Sequence, residues 1–278
     1  MNPLCIAVLD RDTLADRPFD FDFPHTLSSY GSTEAHQTAE RIQGADIIIT
    51  NKVVISAEHI AANPQLKLIA VAATGVNNVD LAAAKQAGVG VCNIRAYGNE
   101  SVAEHAFMLM ITLMRNLPAY QRDVAAGLWE NSPFFCHLGA PMRDLNGKTL
   151  AIFGRGNIGQ TLATYAQAFK MKVVFAEHKH AKSVRDGYVS FDEAIRSADA
   201  LSLHCPLTPQ TANMIGEAEL QQMKPGAVII NCGRGGLVDE AALVEALAER
   251  RLFGAGLDVF EREPPGADNL LMTVPGVV

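Results

Sequence analysis

Residues 148–170 read KTLAIFGRGNIGQTLATYAQAFK: an apolar run, a set of three glycines and an amphipathic stretch in immediate succession. The run KTLAIF predicts a strand and NIGQTLATYAQAFK a helix, so Gly154, Gly156 and Gly159 fall at the turn between them. A dinucleotide site needs glycines at this spacing. The first permits a tight turn, the second lets a pyrophosphate approach the backbone, and the third lets helix and strand pack closely. Arg155, Asn157 and Ile158 fill the positions between them. About twenty residues further on, Glu177 ends the next apolar run, KVVFAE, where a carboxylate accepts hydrogen bonds from adenosine ribose hydroxyls. Its charge opposes the extra phosphate of NADP and so favours NAD. The tract His178, Lys179, His180 and Lys182 is open to two readings, a solvated face or a surface that tolerates the 2′-phosphate, and NADP stays possible.

The same alternation runs outward from this turn in both directions. Downstream, SFDEAIRSA predicts a helix with Ser190 and Glu193 spaced as a capping box. DALSLHC, AVIINC and GAGLDVF predict three more strands, with the helix DEAALVEALAERRL before the last. That makes five strands, and a sixth is expected to start at PGVV and to be cut off there. Upstream, CIAVLD, ADIIIT, LKLIAVAA and GVGVCNI read as buried parallel strands, with helical stretches TEAHQTAERIQG and SAEHIAAN among them. Between the two series, SVAEHAFMLMITLMRNL predicts a long helix from near Ser101 that ends before Pro118. It is too apolar to be one-sided, so both faces are expected to be buried. GLWENSPFFCHLGAPMRDLNG reads as a connection.

A chain of 278 residues accommodates two domains, each able to bury its own core. A net charge of −7 with no basic stripe argues against a nucleic-acid surface. The five cysteines, Cys5, Cys92, Cys136, Cys205 and Cys232, are odd in number and widely spaced. They read as reduced core thiols of a cytoplasmic protein, neither a disulfide frame nor a metal site. The opening MNPLCIAVLDRD reaches acidic residues too early for a signal peptide, and the longest apolar run, AFMLMITLM, is half of a membrane span, so no membrane association is expected.

Two further motifs sit at strand ends, where open α/β sheets bind ligands. IINCGRGGLVDE puts Arg234 just past a buried strand between glycines, placed to grip a carboxylate through two parallel hydrogen bonds. GLDVFEREPP supplies Asp258 and Glu263, which by themselves are equally well a polar turn.

Taken together, GRGNIG, HCPLTPQT, INCGRGGLVDE and GLDVFEREPP, in this order and spacing, resemble the D-2-hydroxyacid dehydrogenase family. The opening VLDRDTL, with AATGVNNVD and SVAEHAF, is closest to its glycerate dehydrogenases, or hydroxypyruvate reductases. The resemblance implies an α/β protein with two Rossmann-like domains on parallel sheets: a flavodoxin-like substrate domain over residues 1–98 and an NAD-binding Rossmann domain over residues 99–278. It implies that Arg234 holds the carboxylate and carbonyl of a small 2-oxo acid, and that the amides of Thr74, Gly75 and Val76 face the same carboxylate. Val102 is implied near the nicotinamide, His204, Cys205 and Pro206 along the cofactor cleft, Cys232 and Gly233 beside the nicotinamide ribose, and Asp258 on the carboxamide. A homodimer interface is implied at the apolar helix.

In that family the acid matching Glu263 pairs with a proton-donating histidine that follows the strand begun by PGVV. Here that histidine is expected to lie beyond Val278, together with the segment that returns to the substrate domain, so the sequence reads as C-terminally truncated. None of the eight histidines maps onto the role. The expected function is NAD-dependent reduction of a 2-oxo acid, hydroxypyruvate to D-glycerate. A non-catalytic dinucleotide-sensing module of corepressor type is the alternative.

Overall fold

Strands that read as unbroken apolar runs belong in sheets covered on both sides, and two such sheets are present. The computed structural model describes residues 2–16, 18–94 and 98–278, and the chain divides into two units, Met1–Tyr97 and Gly98–Val278.

The first unit contains β1 (Leu4–Val8), β2 (His25–Ser29), α1 (Thr38–Arg41), β3 (Ile47–Thr50), α2 (Ala57–Ala61), β4 (Leu68–Val71), α3 (Leu81–Ala87) and β5 (Gly90–Asn93). All pairings are parallel, in the order β2-β1-β3-β4-β5 of a flavodoxin-like sheet. Alternate residues of β1 separate to the two faces. Ala7 and Leu9 pack with Ile48, Ile69 and the helix residues Ile60 and Ala84, while Ile6 and Val8 pack with Ile49 under Phe19, Phe21 and Phe23.

The second unit runs α4 (Asn99–Met114), α5 (Leu117–Ala125), β6 (Thr149–Phe153), α6 (Asn157–Ala168), β7 (Lys172–Phe175), α7 (Phe191–Ser197), β8 (Ala200–Leu203), α8 (Glu217–Gln222), β9 (Val228–Asn231), α9 (Glu240–Ala248) and β10 (Gly254–Leu257). Its sheet is parallel, in the order β10-β9-β8-β6-β7. One-residue bridges add Val189 beside β7 and Val277 beside β10. With Val189 counted as the third strand position, the order is the 3-2-1-4-5-6 of a Rossmann sheet. Leu150 and Ile152 of β6 face α4 and α6, whereas Ala151 and Phe153 face α7, α8 and α9. Each fully buried aliphatic side chain here contributes about 1.5–3 kcal/mol, so the sheet is stiff enough to hold loops at its carboxyl edge.

Some expectations hold and others change. The long helix ends before Pro118 as expected, at Met114, because Asn116 takes a left-handed backbone at φ 55°. Pro118 instead lies in the first turn of α5, where a missing N–H costs nothing. The strand expected at PGVV starts as a parallel extension, with Ala255 N–H donating to Gly276 O and Leu257 N–H to Val278 O, both at 2.9 Å. Ser190 accepts from the Glu193 N–H at 3.2 Å, which is half of the expected capping box. The helix expected over residues 33–44 is a 3₁₀ turn, Ala35–Gln37, followed by α1. Only Cys232 of the five thiols is buried; Cys5 and Cys92 are exposed, near the start of β1 and on the edge strand β5. All five are free.

Most of the apolar surface of α4 is consumed within its own unit. Ala106, Leu109, Met110 and Leu113 are buried in the core that α4 shares with α6 and β9. Gly254 and Gly256 let the helix lie close on β10, since a Cβ at either would crowd Leu113 or Leu109. Met108 remains 48% exposed. The exposed apolar residues gather instead on α5 and the connection after it, at Val124, Trp129, Phe134, Phe135 and Leu138, with Phe135 94% exposed. Among the described residues no helix is long and apolar enough to cross a membrane.

Candidate active site

The turn between β6 and α6 shows why each of its glycines is needed. At Gly154, with φ 111°, a Cβ would stand 2.7 Å from the His204 carbonyl. At Gly159 it would overlap the Gly154 carbonyl oxygen. At Gly156 it would meet nothing within 4 Å. The first and third glycines are therefore required by the fold itself, whereas the middle one keeps a space open for a group from outside. Helix α6 also starts without a side-chain cap, although Asp80, Ser190 and Asp239 cap α3, α7 and α9. Uncapped first-turn amides at the positive end of a helix dipole are an anion site. Asn157 begins this helix, Ile158 packs partly into the core behind it and Gly159 is buried.

The turn opens on a cavity of about 650 Å³. It lies at the carboxyl edge between β6 and β8, whose following helices take opposite faces of the sheet, the position where such sheets bind ligands. Gly154, Arg155 and Gly156 form one wall, Glu177 the end of another, and His204, Cys205 and Pro206 the third. Seven of the residues expected to hold the cofactor thus surround one space.

Its electrostatics are uneven. Glu177, 3% exposed, is bound by both arms of the Arg185 guanidinium at 2.7 Å, and this pairing holds its pKa down to about 2. Burial pushes Cys205 up to about 11 and Cys232 up to about 12, so both remain thiols at neutral pH and neither is a nucleophile. His204 shares a 2.8 Å hydrogen bond with Ser202 through Nε2, while its buried Nδ1 has no partner among the described residues. Such an orphaned atom fits a ligand group arriving from the cavity. Uncapped amides, the open side of Gly156 and this nitrogen together fit a dinucleotide.

Burial also holds His204 to a pKa of about 4, against 6.5 for the free side chain. The unfolded chain therefore takes up this proton first as pH falls. Stability tied to the neutral ring is complete above about 6.5 and is lost as pH drops through about 4. Thermal melts between these limits should fall more steeply for the parent protein than for His204→Asn. Parallel declines would remove His204 as the cause.

Other expected residues stand away from the cavity. Arg234 follows β9 and is half-buried. The wholly buried Asn231 latches its loop, donating to Arg234 O at 2.8 Å and accepting from Gly233 N–H at 3.1 Å. Gly235 is also required, because a Cβ would overlap the Phe260 carbonyl, and so the Arg234 loop lies directly against the segment that carries Glu263. Arg234 spends one donor on Gly233 O at 2.7 Å, leaving four of the five guanidinium N–H groups beyond that bond. Glu263 is exposed and accepts from Phe260 N–H at 3.3 Å. Among the described residues neither Arg234 nor any histidine forms an ion pair with it. Asp258 pairs with His105 of α4 at 3.5 Å. Val102, on the same helix, packs partly against the core to which the buried Cys232 belongs.

In the first unit, the amides of Thr74, Gly75 and Val76 donate to no group among the described residues. The loop is held from the side by Asn93, whose side chain donates to Thr74 O at 2.7 Å. Three consecutive free N–H groups can receive an anion. Among the described residues no three His, Cys, Asp or Glu side chains converge as a metal site.

Sequence reasoning missed Arg185, His105 and Asn231. His105 and Asn231 lie inside the motifs SVAEHAF and INCGRGGLVDE, but Arg185 carries no periodic or motif signal, and only the folded contacts single it out.

Residues 107–278 match the family described as D-isomer specific 2-hydroxyacid dehydrogenase, NAD binding domain. The protein is 43% identical over 267 residues to a glycerate dehydrogenase of Methylorubrum extorquens, covering 96% of this chain and 84% of that one. It is 36% identical over 243 residues to a hydroxypyruvate reductase of Blautia hydrogenotrophica, covering 86% and 76%. Among solved structures it resembles a D-lactate dehydrogenase from Aquifex aeolicus complexed with NAD and lactic acid, with a TM-score of 0.79 and 29% identity, covering 100% of this chain and 87% of that one.

Proposed function

Because the protein belongs to the D-isomer specific 2-hydroxyacid dehydrogenase family and is an NAD-dependent enzyme, we propose that it reduces hydroxypyruvate to D-glycerate with Arg234 as the substrate anchor. The observation that carries this reading is the Arg234 loop: a guanidinium with four uncommitted donors, fixed by buried Asn231 at the carboxyl edge of the sheet that holds the dinucleotide cavity. The names of the two relatives support the choice of hydroxypyruvate.

Gly154–Gly159 and the first amides of α6 would hold the pyrophosphate, and Cys232, Gly233 and Asp258 would border the nicotinamide end. NADH, when bound, would supply the hydride. Arg234 grips the substrate carboxylate with parallel hydrogen bonds and polarises the neighbouring carbonyl. The developing alkoxide needs a proton. His204 is held neutral, His105 faces Asp258, and His137 pairs with Asp123 at 2.8 Å, so none of these serves Glu263. The proton donor is a histidine outside these 278 residues, with Glu263 favouring its protonated form. Hydroxypyruvate-dependent NADH oxidation yielding D-glycerate tests the proposal. L-glycerate, or no turnover, would overturn it.

The active form is a homodimer, assembled through the apolar face of α5 and the Trp129–Leu138 segment. Phe134, Phe135 and Leu138 are 71%, 94% and 89% exposed, which is costly in water and natural at an interface. Sedimentation should give a dimer for the parent protein and a shift toward monomer for Phe135→Asp. A folded parent that sediments as a monomer at tens of micromolar contradicts this.

A further inference from the structure

The carboxylate expected to receive the adenosine ribose is already saturated. Glu177 Oε1 accepts from the Arg185 terminal nitrogen at 2.7 Å and from His178 N–H at 2.8 Å; Oε2 accepts from Arg185 Nε at 2.7 Å and from Arg185 backbone N–H at 3.1 Å. An ionised carboxylate offers about four acceptor positions. All are taken within the protein, and the charge is compensated by the guanidinium that binds it. Glu177 so held can neither accept from a ribose hydroxyl nor repel a phosphate.

Arg185 has capacity to spare. Two of its five N–H donors go to Glu177, its side chain is 53% exposed, and it lines the cavity. Its guanidinium carbon stands 4.2 Å from the centre of the Tyr188 ring, and that of Arg155 stands 5.3 Å from the same ring, so two arginines flank Tyr188 on the cavity wall. The tract after Glu177 does not compete for this role. Lys179 is engaged by Glu219 at 2.8 Å and by Met214 O at 3.0 Å, and the His178 amide is spent on Glu177. Among the described residues lining the cavity, Glu177 is the single carboxylate.

We propose that Arg185, rather than Glu177, sets the choice between the two nicotinamide dinucleotides, and that it admits both. By pairing with Glu177 it cancels the charge that would reject a 2′-phosphate. Its remaining donors, with those of Arg155, match the oxygens of that phosphate in the forked geometry that guanidinium groups provide. When the ribose carries no phosphate, a small displacement of the exposed Arg185 side chain returns the Glu177 oxygens to the ribose hydroxyls. The inference rests on reading the cavity as the adenosine end of the cofactor site.

Calorimetric titration with 5′-AMP and with adenosine 2′,5′-bisphosphate tests it without turnover, because the two ligands differ only in the 2′-phosphate. The parent protein should bind both with similar affinity. In Arg185→Gln the bisphosphate should weaken by about 10- to 100-fold, the worth of hydrogen bonds to a charged group, while 5′-AMP is little changed. Arg185→Lys, which keeps the charge and loses the fork, should fall between, and retained 5′-AMP binding in each variant reports an intact site. A parent protein that binds 5′-AMP but rejects the bisphosphate overturns the inference alone, as does an unchanged ratio in Arg185→Gln. Failure of the parent to bind either ligand overturns the assignment of the cavity itself.

Discussion

Replacing Arg234 with glutamine is expected to lower kcat/KM for hydroxypyruvate by about 10²- to 10³-fold, the usual loss when one member of a desolvated, hydrogen-bonded charge pair is removed. The expectation follows from how the side chain is presented. Asn231, wholly buried beneath it, takes the Arg234 carbonyl and the Gly233 amide, so the loop conformation does not depend on the guanidinium. Glutamine therefore removes the charge and the fork without removing the platform. Arg234 is not among the residues that line the cavity, so dinucleotide affinity should be nearly unchanged. Arg234→Lys should recover only part of the loss, because an ammonium binds a carboxylate as a point charge and cannot supply two parallel hydrogen bonds. Steady-state kinetics with NADH titrated separately distinguish these effects. A glutamine variant with parental kcat/KM would remove Arg234 from the substrate site.

The parts of this site that can be read from the sequence are those where backbone chemistry leaves little choice. A carbonyl beside Gly159 and the His204 backbone beside Gly154 leave no room for a Cβ, and a motif written in glycine records that directly. Apolar runs such as LAIF and VIIN announce strands covered on both faces, as β6 and β9 are. Strand β2 has no such signal, because most of its side chains face solvent and its sequence, HTLSS, has no buried face to impose a period. Pro118 marks the end of the long helix as expected, but it does not announce α5, in whose first turn it lies. The partner of Glu177 is the sharpest case. The position of the acid follows from its place at the end of β7, but Arg185 reaches it across an irregular loop, and only the fold brings the two into contact.

The apolar content of α4 carries two possible meanings, a subunit interface or a helix enclosed by its own domain. Contact with α6, β9 and β10 uses most of it internally. The exposed aromatics Trp129, Phe134 and Phe135 carry the case for association instead, and in sequence they read only as a break in periodicity.

The most direct test of the proposed chemistry is NADH oxidation against a panel of 2-oxo acids by three proteins: these 278 residues alone, the same residues extended by a C-terminal segment bearing a histidine for Glu263, and that extension with its histidine changed to alanine. General acid catalysis contributes about 10²- to 10⁴-fold, so the histidine-bearing protein should reduce hydroxypyruvate to D-glycerate faster than the other two by that factor. All three should bind NADH, because Gly154, Gly156, Gly159, Glu177 and Arg185 are common to them. Equal rates in the three proteins would contradict the proposal: if fast, the acid is one of the histidines already present; if absent for every 2-oxo acid, the chemistry is not the reduction proposed.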